Sequence, residues 1–241
     1  MSATLTAQTV GELAAENPAA TRVFEKLGID YCCGGSRTLE EACQAAGVAV
    51  EDVQDALAKA AAAPPTEEHD WTTAALADLI AHIQDTHHQY TRAELARLAP
   101  LFDKVCGVHG PNHPELARMR ATFGGLSQEL LAHMMKEEVV LFPFIVRMEQ
   151  AFLEKRAIPR PPFGTVQNPV AMMIHEHDGA GQALEDLRAA SNGYNPPPDA
   201  CISYRTLYQA LAALEADLHQ HIHLENNILF PRAIEMEATA C

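Results

Sequence analysis

Beyond Trp71, apolar residues recur at i, i+3, i+4 and i+7 spacing through about 73–105, 114–149, 168–190 and 200–236. Leu76, Leu79, Ile80, Ile83 and His87 trace one such stripe, and Leu207, Leu211, Leu214, Leu218 and Ile222 another. This is the period of a helix with one buried face, and no strand-like alternation competes with it. The interruptions CGVHGPNHP, IPRPPFGTVQNP and NGYNPPPD are rich in turn residues. Four long helices joined by such connections predict an all-α fold, an antiparallel four-helix bundle spanning 71–241. Pro143 and Pro231 fall late in the second and fourth stretches. A proline lacks the N–H that a helix needs, so each should kink or end its helix.

The pattern is shorter before Trp71. Thr9 with Glu12 and Thr38 with Glu41 have capping-box spacing, and Asn17-Pro18 has the form of an N-cap followed by a first-turn proline. Gly28 and Gly47 stand where helices should stop. Residues 1–62 therefore predict a small helical domain of about four short helices, with DYCCGGSR (30–37) in a turn. The Ala/Pro run at 60–65 and the residues after it predict a linker, taken as 63–70.

Composition narrows the chemistry. With 48% hydrophobic residues in 241 the chain can bury a core, and a formal charge of −15 disfavours nucleic acid and anionic membranes. Met1 to Val10 have neither the basic nor the apolar part of a signal peptide. No apolar run approaches the ~20 residues of a spanning helix. Six cysteines without a secretion signal point to a reducing compartment, and the cytoplasm is the expected location.

Two phrases carry the strongest signal: HMMKEEVVLFP at 133–143 and HIHLENNILFP at 221–231. Each opens on His, has Glu four residues later (Glu137, Glu225), and reaches Phe-Pro five residues after that. Each is also preceded by a helical histidine, His88 by 45 residues and His177 by 44. Residues four apart share a helix face. The duplicated half-motif would thus bring four imidazoles and two carboxylates to one level of an apolar core. Six polar groups buried there without partners would be costly, and metal binding resolves the cost. Two octahedral ions suit six ligands if both carboxylates bridge and a bridging oxo or hydroxo group completes the pair. Mixed nitrogen and oxygen ligation with open positions favours iron, whereas structural zinc is usually closed and richer in Cys.

These same residues resemble the Repair of Iron Centres family, a branch of the hemerythrin-like proteins. DYCCGG resembles its small N-terminal domain; HMMKEE…LFP, HEHD and HIHLENNILFP resemble its C-terminal domain. The resemblance implies a centre of two non-haem iron ions, held here by His88, His133, Glu137, His177, His221 and Glu225. His87 and His88 are adjacent, and Arg92, four residues after His88, matches the arginine that follows the family's ligand. His175, His219 and His223 then fall outside the ligand set. Glu129 and Glu176 match a carboxylate pair thought to line a route to the iron. Gly181 stands where oxygen-carrying hemerythrins place a fifth histidine, which favours labile iron over oxygen storage.

Cys32-Cys33 followed by two glycines does not suit a structural disulfide. A nearby helix N-terminus would lower the thiol pKa, and the pair is read as a thiol-transfer or redox site. Cys43, Cys106, Cys201 and Cys241 receive no role. The expected function is repair of iron–sulfur clusters damaged by nitric oxide or oxidants, by donation of iron, with damaged iron–sulfur proteins as partners and a second copy of the chain admitted. The competing readings are a binder, scavenger or sensor of nitric oxide or dioxygen, and a nitric oxide reductase. The thiol segment favours repair, since a gas store has no use for it.

Overall fold

The computed structural model describes residues 7–61, 70–158 and 160–239. Four short helices come first: α1 (Val10–Glu16), α2 (Pro18–Leu27), α3 (Leu39–Ala46) and α4 (Val50–Ala61). Both predicted capping boxes form, Thr9 with Glu12 and Thr38 with Glu41, and Asn17 accepts the Ala19 N–H at the start of α2. Gly28 and Gly47 end their helices in the left-handed region, with φ of 67° and 68°, where a Cβ would be strained. The expected linker at 63–70 lies, apart from residue 70, outside the described residues.

Four long helices follow: α5 over 76–109, α6 over 115–153, α7 (Gln167–Ala190) and α8 over 202–239. Three of them contain a π-helical segment, Ile83–His88 in α5, Glu137–Leu141 in α6 and Leu224–Leu229 in α8. Among the described residues the only departure from helix, turn and loop is an isolated antiparallel bridge between Thr9 and Thr38. Among the described residues no helix is long and apolar enough to cross a membrane.

Of the two outcomes expected at Pro143 and Pro231, a kink or an end, the end does not occur: α6 and α8 run on to Leu153 and Thr239. Each proline lies one residue beyond a π segment, at the second position of the resumed α-helix, so the disturbance of the hydrogen-bond ladder is taken up in the preceding turn. α5 also passes the expected break at 105 and ends at His109.

The chain divides into two compact units, one of Met1–Ile80, Ile145–Val166 and His219–Cys241, the other of Ala81–Phe144 and Gln167–Leu218. The second unit is an antiparallel four-helix bundle. Its core is drawn from every long helix: Leu98 and Phe102 on α5, Met119, Phe123 and Leu126 on α6, Leu184 and Leu187 on α7, and Leu207, Leu211 and Leu214 on α8. Each large apolar side chain buried there contributes roughly 1.5–3 kcal/mol.

In the first unit, Val10, Phe24, Tyr31, Leu39, Cys43 and Val53 form the core of the short helices. The same unit ties down the start of α5. The buried Glu149 carboxylate accepts the Leu76 and Ala77 N–H groups at 2.6 and 2.9 Å. It serves as an N-cap supplied from a distant helix. Arg232 donates to the Trp71 and Ala74 carbonyls at 2.8 and 2.6 Å.

Candidate metal centre

The π segments coincide with the predicted ligands. His88 is the last residue of the first, Glu137 opens the second and Glu225 lies in the third. In each, the helix resumes through a wide bond: Gln89 N–H to the Gln84 carbonyl, Phe142 to Glu137, and Phe230 to Glu225. A π turn inserts one residue, which re-aims the side chains that follow without ending the helix; such turns concentrate at functional sites.

All six predicted ligands are buried, none more than 3% exposed. Glu137 Oε2 lies 3.4 Å from His88 Nε2 and 3.3 Å from His133 Nε2, and His133 Nε2 lies 3.0 Å from His177 Nε2. On α8, His221 Nε2 is 3.0 Å from Glu225 Oε1. Within one unit Glu137 Oε2 thus meets the inward nitrogens of both His88 and His133, and within the other His221 pairs with Glu225. Two imidazole nitrogens 3.0 Å apart can share one proton or one metal ion. Glu137 Oε2, within 3.4 Å of two imidazole nitrogens, stands where a metal-ligating carboxylate would. The donor set therefore fits metal cations.

The outer ring nitrogens of two of these histidines are held by carboxylates. His88 Nδ1 lies 2.7 Å from Glu138 Oε1, and Arg92 clasps Glu138 through two bonds of 2.8 and 3.0 Å. His133 Nδ1 lies 2.9 Å from Glu176 Oε2, and Lys136 pairs with the other Glu176 oxygen. Burial works to raise both carboxyls, but Arg92 and His88 hold Glu138, and Lys136 and His133 hold Glu176, below the usual range. Each carboxylate fixes an Nδ1–H tautomer and leaves Nε2 as the inward donor.

Glu176 is thus brought to the site through His133, whereas Glu129 lies exposed on α6. His87 turns away, with Nδ1 3.0 Å from Asp217. His175 is exposed. Glu138 and Asp217 were missed in the sequence; Glu138 is marked there only as the second glutamate of KEE.

Cys32 and Cys33 lie in a loop wound on Asp30. Asp30 Oδ1 accepts the Cys32 and Cys33 N–H groups at 3.1 and 3.0 Å, and Oδ2 accepts that of Gly34 at 2.8 Å. The two sulfurs are 4.0 Å apart and neither forms a disulfide. The expected lowering of the thiol pKa does not occur at Cys32. Its bond to the Cys33 sulfur, its burial and the Asp30 carboxylate all push it well up. Cys33 is the more open of the pair.

This loop is fastened to α8 two residues beyond Glu225. Asn227 donates to the Tyr31 carbonyl at 3.1 Å and to His223 Nδ1 at 2.9 Å. Burial holds His223 down at about 4, so at neutral pH its Nδ1 is free to accept. Its ring stands edge-on to Tyr31, 5.4 Å between centroids. Gly11 and Gly35 are required here, because a Cβ on them would come within 2.5 and 2.4 Å of Asn227 Oδ1.

Comparison with known proteins agrees with this division of chemistry. A hemerythrin HHE cation-binding domain model matches residues 79–233, and a model described only as a domain of unknown function matches residues 6–61. An iron–sulfur cluster repair protein YtfE from Pectobacterium atrosepticum is 38% identical over 234 residues, 95% of this chain and 98% of that one. A protein of the same name from Musicola paradisiaca is 37% identical over 231 residues, 96% of this chain and 98% of that one. Another, from Escherichia coli, is 39% identical over 232 residues, 95% of this chain and 98% of that one.

Proposed function

We propose that this chain, which belongs to the hemerythrin-domain family of iron–sulfur cluster repair proteins, returns iron to clusters broken by nitric oxide or oxidants. The iron is drawn from a buried pair of ions that His88, His133, Glu137, His177, His221 and Glu225 would hold. The observation that carries the reading is the buried Glu137 carboxylate, whose Oε2 lies within 3.4 Å of both His88 Nε2 and His133 Nε2. Nitrogen and oxygen donors of this mixture suit iron. Bound there, iron supplies an exchangeable cargo and a centre able to take nitric oxide as a ligand.

The chain's own residues set how firmly that cargo is held. Glu138 and Glu176 keep His88 and His133 turned inward, and the cations Arg92 and Lys136 keep those carboxylates in place. Two ligand carboxylates neutralise only part of the charge of two divalent ions, which favours release over trapping. Glu176, half-buried and next to His133, is the first oxygen donor on the way out, with Glu129 one turn earlier on the α6 surface. Residues 1–62 act as the thiol module for client clusters, Cys33 presenting the open sulfur and Cys32 the protonated one behind it. The reaction belongs to the cytoplasm, where damaged iron–sulfur proteins are the partners.

The test is an enzyme whose cluster has been damaged by nitric oxide, mixed with the iron-loaded chain. Activity should return with the loaded protein and fail to return when a ferrous chelator is in excess. Equal recovery with an iron-free His133→Leu, His221→Leu variant would contradict donation and leave nitric oxide binding as the better account.

A further inference from the structure

A third group of converging donors lies in the four-helix unit, on residues the repair function does not use. His109 ends α5, and His113 follows in a turn whose N–H bonds back to the His109 carbonyl at 2.9 Å. That turn keeps the two rings one helical turn apart. Asp199 comes from the connection before α8, and its carboxylate meets His113 Nε2 at 3.0 Å. One donor atom from each of His109, His113 and Asp199 lies within 4.8 Å of the other two.

The group is built. The fully buried Tyr204 ring stands 5.2 Å from that of His109 and 5.5 Å from that of His113, forming a wall for both. Arg205 donates to the Ala200 carbonyl at 3.1 Å and to that of Pro198 at 3.4 Å, pinning the backbone on either side of Asp199. His113 Nδ1 lies 3.1 Å from Glu115 Oε1, which leaves Nε2 to face the group. This repeats the arrangement of His88 with Glu138 and of His133 with Glu176. His109 Nε2 is shielded from solvent, and the His109 ring has the exposed Cys201 thiol as its neighbour and hydrogen-bond partner. The Asp199 side chain is 58% exposed, so the group opens to water.

We propose that His109, His113 and Asp199 form a second cation site, taking one divalent first-row transition metal, zinc or ferrous iron. Two imidazoles and one carboxylate with an open position are a donor set that both ions accept. Glu115 is a positioning residue, acting on the metal through His113. Being open on one side, the site exchanges its metal with solvent directly, unlike the buried pair.

The full-length chain, with its buried site already loaded with iron, is titrated by calorimetry with zinc, and in a second arm with ferrous iron under anaerobic conditions. One further equivalent should bind in at least one arm. Asp199→Asn and His113→Gln should abolish that equivalent, and Glu115→Gln should weaken it about tenfold, while the iron already bound stays in place in all three. Asp199 is exposed, so loss of folding cannot account for its effect; circular dichroism checks this. A simple ion pair between His113 and its two carboxylates predicts no uptake. Absence of a further equivalent in both arms, or uptake unchanged in Asp199→Asn and His113→Gln, overturns the proposal.

Discussion

The two copies of the repeated phrase share a frame and differ in what surrounds it. Both place His and Glu one turn apart, pass into a π segment and resume through Phe-Pro. After Glu137 the first copy continues with Glu138 and Val139, whereas after Glu225 the second has Asn226 and Asn227. Glu138 is a charged brace, tied to His88 and Arg92, and Val139 beside it is 71% exposed. Asn227, in the place of Val139, is half-buried and bonds to Tyr31 and His223 under the thiol loop. The shared frame thus carries two different flanks. One meets a buried histidine with charge; the other meets the Cys32–Cys33 loop with a neutral amide.

The largest effect should come from the shared frame. His133→Leu and His221→Leu should each reduce iron from two ions per chain to none stably bound, as measured by iron analysis. Retention of both ions in either variant would show that the frame is not the site. The charged flank should come next. Glu138→Gln and Glu176→Gln should lower iron affinity by about 10–100-fold, since each leaves a ligand histidine unbraced. Chelator competition measures this, and an unchanged affinity would reduce Glu138 and Glu176 to surface ion pairs.

The amide flank predicts a stability effect. Gly35→Ala sets a Cβ against Asn227 Oδ1 at 2.4 Å and should cost about 1–3 kcal/mol in denaturant unfolding. Much of that loss should disappear when it is combined with Asn227→Ala, because the two sites touch. Fully additive losses would mean that the loop does not bear on Asn227. The smallest expected change is kinetic. Cys32→Ser with Cys33→Ser should keep its iron and its iron absorption, yet repair a damaged cluster several times more slowly. Undiminished repair would remove the thiols from the mechanism.

Much of this was legible in the sequence because periodicity and caps are local signals. Thr9, Thr38, Gly28 and Gly47 marked helix ends that tertiary packing did not override. Four of the six buried donors were visible because His-x-x-x-Glu needs only the helical repeat to put both residues on one face, and His88 and His177 because each precedes a copy at nearly the same spacing. What surrounds the ligands depends on other helices. Glu138 looks like one more acidic residue until Arg92, 46 residues away, is seen to hold it. The π segments escaped notice because a proline lacking an N–H reads as a helix end, and nothing nearby shows that the preceding turn absorbs the defect. The Cys32 pKa was misjudged because a nearby helix N-terminus was expected to lower it, whereas the loop winds on the Asp30 carboxylate.

The central claim is that the buried iron itself is delivered. The chain is loaded with isotopically labelled iron and mixed with a nitric-oxide-damaged cluster protein in a solution whose remaining iron is unlabelled. The repaired client is then separated and its iron measured by mass spectrometry. Labelled iron in the client, rising in step with recovered activity and matched by loss from the chain, is the predicted result. Recovery of activity with only unlabelled iron in the client would contradict it.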